Sequence, residues 1–297
     1  MRYIASAILA LWGADCLGTP ATEAVAIAPA SITVVAAGDI ADCGPDGLQF
    51  PNAARTARLV EPGDALVLTL GDHTYPVGAA TEFSDCFQPT WGWFKDRIRP
   101  SPGNHDYMTT DAGAYFDYFG AAAGPDRRGY YSFDAGGWHF ISLNSNADAG
   151  VGLAQYVWLQ ADLAANSETL CTLAYWHHPV FSSGPHGNDR RMADAFQLLH
   201  AAGTEIVLVG HDHIYERFAP QDAAGTADPE RGVRSFTVGT GGARLYSLRT
   251  PKPNSEVRDA STHGVLRLTL GATDYRWAFV PVDGSAPRDE GSAACHR

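Results

Sequence analysis

Five short stretches carry side chains that could hold cations and do chemistry. They are Gly38-Asp39, "GDHTY" (Gly71 to Tyr75), "GNHD" (Gly103 to Asp106), "WHHP" (Trp176 to Pro179) and "GHDH" (Gly210 to His213). Together they supply aspartate, tyrosine, asparagine and histidine, a mixture of oxygen and imidazole donors that suits borderline and hard transition metals rather than calcium or a thiolate site. Singly each signal is weak, since a Gly-Asp after a strand is often only a turn. "GHDH" says more: alternate residues of an extended segment project to opposite sides, so His211 and His213 can reach two cations flanking the chain. The five in succession, each at the end of a strand, point to one shared site.

The elements that must position these stretches alternate between strand and helix. "SITVVAAG" is a β-branched, apolar run ending at Asp39; "PNAARTARLVE" reads as helix and "ALVLTLG" as the next buried strand, ending before Asp72. "GLAQYVWLQADLAAN" reads as a helix with Leu153, Tyr156, Leu159 and Leu163 on one stripe. "CTLAYW" is a strand ending at His177. "DRRMADAFQLLHAAG" puts Met192, Ala195, Phe196 and Leu199 on one helical face and stops at Gly203, and "TEIVLVG" is a strand ending at His211. "GYYSFDAGGWHFISLN" reads as a hairpin; "VRSFTVG", "GVLRLTL" and "DYRWAFVPV" read as antiparallel strands. Pro220 to Arg234 and Arg249 to Ser261 read as polar loops. With no internal repeat and no long linker, the economical reading is one α/β domain with two mixed sheets, its ligands outside the carboxyl ends of the strands.

Composition limits the function. In 297 residues, 45% are hydrophobic and 18% charged, enough to bury a sizeable core. A net charge of -12 repels polyanions and argues against nucleic-acid binding through a broad basic surface, although bound cations can reverse the local sign for a small anionic substrate. Arg2, the apolar run "YIASAILALW" and the small residues of "ATEAVAIAPA" read as an export signal over residues 1–28 with an approximate cleavage point, leaving 29–297 as the catalytic domain of a secreted or periplasmic protein. A lipoprotein anchor at Cys16 ranks lower, because Asp15 stands where a small residue is wanted. The run is too short to span a bilayer, and no later segment offers a transmembrane span. Four cysteines then remain, which allows two disulfides in three pairings. Cys43–Cys86 and Cys171–Cys295 are the favoured pairs, the second tying down the C-terminal tail.

From Ser31 to Tyr246 the chain resembles the calcineurin-like metallophosphoesterases, and among them the purple acid phosphatases, with "GHDHIYER" and "GTGGARLY" adding to the five stretches. The superfamily pattern has a metal-binding histidine two residues after the first aspartate, where this chain has Ala41. Purple acid phosphatases lack it too and use a tyrosine three residues after the second aspartate, where Tyr75 stands. The resemblance implies Fe(III) held by Asp39, Asp72, Tyr75 and His213. Asp72 would bridge to a divalent Fe, Zn or Mn held by Asn104, His177 and His211. Charge supports the pairing: two carboxylates, a tyrosinate and a bridging hydroxide sum to four negative, so a trivalent plus a divalent ion leaves a net positive site for a phosphate. A phenol of ordinary pKa near 10 also needs a strongly polarising cation to ionise at neutral pH.

By the same resemblance His105 and His186 would contact phosphate or protonate the leaving group, and the fold would be a four-layer αββα sandwich of two mixed sheets flanked by helices. The activity implied is hydrolysis of small phosphate monoesters by metal-hydroxide attack. The alternative is an extracellular phosphodiesterase on the same scaffold with two divalent metals. A first metal motif at Asp39 implies the form without the extra N-terminal β domain of larger plant-like members. Of the remaining polar residues, His178 and Asp106 read as supports for neighbouring ligands, His73 as support or simple exposure, and Asp212 as exposed. His139 reads as structural, and His200, His263 and His296 receive no chemistry. Oligomeric state and natural substrate are not legible.

Overall fold

Strands that are almost wholly apolar need cover on both faces, and two such strands, "ITVVAA" and "LVLTL", lead to the first two aspartates. The structure is a computed structural model describing residues 1, 31–44 and 51–296; the export-signal segment and Cys16 lie outside the described residues. In chain order the strands are β1 (Ile32–Ala37), β2 (Ala41–Asp42), β3 (Leu66–Leu70), β4 (Thr74–Tyr75), β5 (Ile98–Ser101), β6 (Tyr131–Ala135), β7 (Trp138–Ser142), β8 (Cys171–Tyr175), β9 (Ile206–Val209), β10 (Tyr215–Phe218), β11 (Arg234–Val238), β12 (Ser255–Asp259), β13 (Gly264–Leu270), β14 (Asp274–Pro281) and β15 (Asp289–Ala294). The α-helices are α1 (Pro51–Ala57), α2 (Ala80–Glu82, a single turn), α3 (Gly113–Phe119), α4 (Ala154–Ala165) and α5 (Ala193–Ala201).

The first sheet runs β15-β14-β13-β1-β3-β5 and the second β12-β10-β11-β9-β8-β7-β6, while β2 and β4 form a short parallel pair. The first sheet is parallel at one end (β1, β3 and β5) and antiparallel at the other (β13, β14 and β15), whereas the second is parallel in its middle (β7, β8, β9 and β11) and antiparallel at both edges. Alternation along the second sheet explains its two faces. Leu173, Tyr175, Ile206 and Leu208 join the core shared with the first sheet, whereas Ala174, Val207 and Val209 join the cluster formed with Leu159 of α4 and Phe196 and Leu199 of α5. Ala53 of α1 and Phe116 and Phe119 of α3 join the core of the first sheet, completing the αββα order.

Three local expectations need correction. Helix α1 stops at Ala57 instead of reaching Glu61. Leu153 precedes α4 and is 46% exposed; the buried positions of that helix are Gln155 and Leu159. Ser255 to Asp259, read as loop, is the edge strand β12, which has no apolar alternation to betray it. Both favoured disulfides are present, Cys43–Cys86 and Cys171–Cys295.

His139 on β7 is a structural tie. Its Nδ1 lies 2.7 Å from Asp134 Oδ1 on the hairpin partner and its Nε2 2.8 Å from Asp162 Oδ2 on α4. Burial alone would lower its pKa, but the bonds to Asp162 and Asp134 outweigh it and raise the value above 6.5. A raised folded-state pKa gives stability that is full below the unfolded pKa and fades as pH climbs through the folded one. Thermal melts of His139→Gln should therefore show a loss of about 2 kcal/mol at pH 5.5 and a smaller one at pH 9; an equal loss at both would show that the imidazolium is not the stabilising species.

Candidate metal centre

Three of the expected site residues sit just beyond parallel strands in the left-handed backbone region: Asp39 (φ 60°), Asp72 (φ 52°) and His211 (φ 70°). Aspartate tolerates this conformation better than most residues; histidine pays about 1 kcal/mol or more for it. The sharp turn stops each strand and aims the side chain along the sheet edge. Glycine makes room beside them. A Cβ on Gly210 would fall 2.8 Å from Asp39 Oδ2, and one on Gly71, itself at φ +85°, would fall 2.6 Å from His177 Nδ1.

Two donor clusters result. In the first, Tyr75 Oη lies 2.8 Å from Asp39 Oδ1, 3.1 Å from Asp72 Oδ2 and 3.1 Å from His213 Nε2. In the second, His177 Nε2 lies 3.2 Å from Asp72 Oδ2, 3.1 Å from Asn104 Oδ1 and 3.2 Å from His211 Nδ1. Such separations suit donors sharing a cation at bond lengths of about 2.0–2.2 Å. Asp72 Oδ2 belongs to both, the position a bridging carboxylate needs. The backbone fixes the rings: His177 Nδ1 is 2.8 Å from the Leu70 carbonyl and His213 Nδ1 2.7 Å from that of Arg244, arrangements typical of metal-binding histidines. His211 N donates to Asp39 Oδ2, and His105 N to Asp72 Oδ1.

The electrostatics favour cations. Burial opposes ionisation of Asp39, but His213 and His177 outweigh it and its pKa is lowered; Asp72 is driven far below the usual carboxylate range by His177 and His105 against the same burial. His177, despite burial, is raised to about 9 by Asp72 and Asp39, whereas burial and the neighbouring His177 and His186 lower His211 to about 3. Burial, then Asp39 and Asp72, push the Tyr75 phenol well above 10. The chain's own groups therefore keep Tyr75 protonated, and its phenolate requires a cation among these donors. The donor set fits two metal ions.

The other expected residues line the same edge. The His105 ring lies 4.3 Å from that of Tyr75, with Nδ1 2.6 Å from the Pro76 carbonyl and Nε2 3.9 Å from Asp72 Oδ2. His186 lies ring to ring at 4.1 Å from His211. Tyr246, named by the sequence only as part of "GTGGARLY", stacks parallel on His213 at 4.0 Å and edges toward His186.

Beneath this layer the structure differs from the sequence expectations. Asp212 is fully buried, not exposed: it accepts from Ser182 Oγ and, at 3.1 Å, from His186 N. Buried Glu216, not singled out from sequence, accepts from Ser183 N at 2.8 Å. These two carboxylates hold the "FSSGPHG" loop that presents His186. His73 is also fully buried, among Phe83, Phe87, Tyr115 and Phe119, with Nδ1 2.9 Å from Asp106 and Nε2 2.7 Å from Thr69 Oγ1. Asp106 also accepts from the N–H groups of Asp72 and Gly103, so it joins the loops after β3 and β5. His200 is paired with Asp228, His263 with the Ala243 carbonyl and His296 with Glu205.

The model of the calcineurin-like phosphoesterase family matches residues 29–215, a span containing both clusters, His105 and His186. Purple acid phosphatase 18 of Arabidopsis thaliana is 30% identical over 234 residues, covering 69% of this chain and 52% of the relative. Purple acid phosphatase 21 of the same plant is 33% identical over 214 residues, covering 63% and 48%. The chain thus spans about half the length of these curated relatives. The structure of purple acid phosphatase PPD1 from yellow lupin, Lupinus luteus, superposes with a TM-score of 0.74 over 89% of this chain and 54% of that one at 18% identity, a likeness of fold. With the family match covering well over half its length, the chain belongs to the calcineurin-like phosphoesterases.

Proposed function

We propose that this protein is an exported binuclear phosphatase of the purple acid phosphatase kind, hydrolysing phosphate monoesters. One observation carries the reading: the Tyr75 phenol faces Asp39, Asp72 and His213 at 2.8–3.1 Å, in a chain whose usual histidine position is occupied by Ala41. Asp39, Asp72, Tyr75 and His213 would hold Fe(III). Asp72, Asn104, His177 and His211 would hold a divalent Fe, Zn or Mn. Once bound, the pair would acidify a water, orient the phosphoester and neutralise charge on its equatorial oxygens.

The chain's own part is positioning and proton transfer. A carbonyl can only accept, so His105 carries a proton on Nδ1 toward Pro76, and with a second proton on Nε2 the imidazolium can donate to a phosphate oxygen or protonate the leaving alkoxide. His186, on the loop held by Asp212 and Glu216, approaches over His211. His105→Ala should lower turnover by about 10² or more while metal content stays unchanged, measured by steady-state kinetics and metal analysis on one preparation. Loss of metal in that variant would make His105 a ligand instead.

Export rests on the N-terminal signal reading, and two disulfides suit an oxidising compartment. The deciding experiment compares p-nitrophenyl phosphate with its bis ester on metal-replete protein. Faster hydrolysis of the monoester is expected. A much higher rate on the diester would replace this reading with the two-divalent-metal phosphodiesterase, and no hydrolysis of any phosphoester would leave a scavenging protein.

A further inference from the structure

His178, left out of the metal set above, is built like a ligand. Its side chain is buried, and its ring lies 4.9 Å from that of His177 and 4.4 Å from that of His211. One ring nitrogen from each of the three lies within 4.8 Å of the others. Nitrogens on opposite sides of one zinc ion are about 4.2 Å apart, so a small side-chain adjustment lets the trio share a cation. Orientation is the second observation. A metal-bound histidine usually fixes its ring through the other nitrogen. His177 and His213 do this with Nδ1 on backbone carbonyls, and His178 does it with Nδ1 2.8 Å from Ser145 Oγ. Ser145 is buried, and its Oγ also accepts from His178 N at 3.1 Å. With two lone pairs the hydroxyl can accept both N–H groups, leaving a lone pair on His178 Nε2 for a metal.

We propose that His178 supplies a third imidazole to the second cation, beside His177, His211, Asn104 and Asp72, and thereby biases that position toward zinc over manganese. Imidazole favours zinc, whereas carboxylate, carbonyl and water suit manganese, so each added nitrogen shifts the choice. The proposal rests on the binuclear reading. It gives the "HH" of "WHHP" a role that a packing histidine would not have.

The test is competition titration of Zn²⁺, and separately Mn²⁺, against a chromophoric chelator, using wild type, His178→Ala and Ser145→Ala after removal of the divalent ion. His178→Ala should bind zinc about 10- to 100-fold more weakly and lose much less for manganese, so that the zinc preference shrinks. Ser145→Ala should move the same way by less. Unchanged zinc affinity, or equal losses for both metals, overturns the proposal. If circular dichroism shows that His178→Ala does not fold, the comparison is made with His178→Gln and the Co²⁺ absorption spectra of wild type and Ser145→Ala. A cobalt band intensity unmoved in both variants overturns the proposal equally. Wild type that takes up no second cation defeats the binuclear reading itself, an outcome distinct from a variant that binds as wild type does.

Discussion

Asp72→Ala should abolish stoichiometric binding of both cations and lower phosphatase turnover at least about 10³-fold, the equivalent of about 4 kcal/mol of lost transition-state stabilisation. Its carboxylate faces both clusters. Its Oδ2 lies 3.1 Å from Tyr75 Oη and 3.2 Å from His177 Nε2, and its Oδ1 accepts from His105 N. Truncation would remove charge from both positions and leave His177, raised to about 9 chiefly by this carboxylate, without its main partner. Asp72→Asn separates charge from shape. It keeps an acceptor for His105 N and nearly the same volume, yet it should still lose most of the trivalent ion. Metal analysis with steady-state rates on both variants is the check; normal metal content with more than a tenth of wild-type activity would show that Asp72 does not bridge.

The second large effect is optical. Wild-type protein should be pink to violet, with about one iron per chain, and Tyr75→Phe should be colourless with the trivalent ion exchanged for a divalent one. Phenylalanine keeps the ring that faces His105 at 4.3 Å and the packing around it, so the fold should survive. What disappears is the one oxygen able to become a phenolate. The surroundings make the demand on the metal steep: burial, Asp39 and Asp72 all hold the phenol in its neutral form. An ion that coordinates here must overcome that bias, which a trivalent cation does more readily than a divalent one. A coloured Tyr75→Phe protein would move the chromophore elsewhere. A colourless wild type holding two zinc or manganese ions would bring diester substrates to the front.

The donor edge was legible because its residues follow buried strands. β1, β3, β8 and β9 are predominantly apolar runs, broken at most by a single threonine, and a polar residue just beyond each run is one the sheet edge presents. The supporting layer was not. Asp212 lies between two candidate ligands in sequence, and only the fold brings Ser182 and His186 to its carboxylate. His73 is buried because four aromatic rings, two from the turn Phe83–Phe87 and two from α3, close around it. Edge strands β12 and β15 escaped for a related reason: with one side unpaired they need no apolar alternation, and "DEGSAA" shows none. Sequence patterns report burial by solvent-averse side chains, and they are silent about polar groups buried with their partners.

The order of the first sheet has a consequence for how the protein is made. β1 lies between β3, which follows soon after it, and β13, whose register pairs Ile32 with Leu270 near the far end of the chain. During synthesis β1 therefore keeps one bare edge until nearly everything else has emerged, and such distant pairing makes assembly slow. Every residue of the two donor clusters precedes β13. A chain halted before Gly264 would contain both donor clusters yet lack the strand that pairs with β1 beneath Asp39, so the seating of a site encoded in the first four-fifths of the sequence depends on its last fifth.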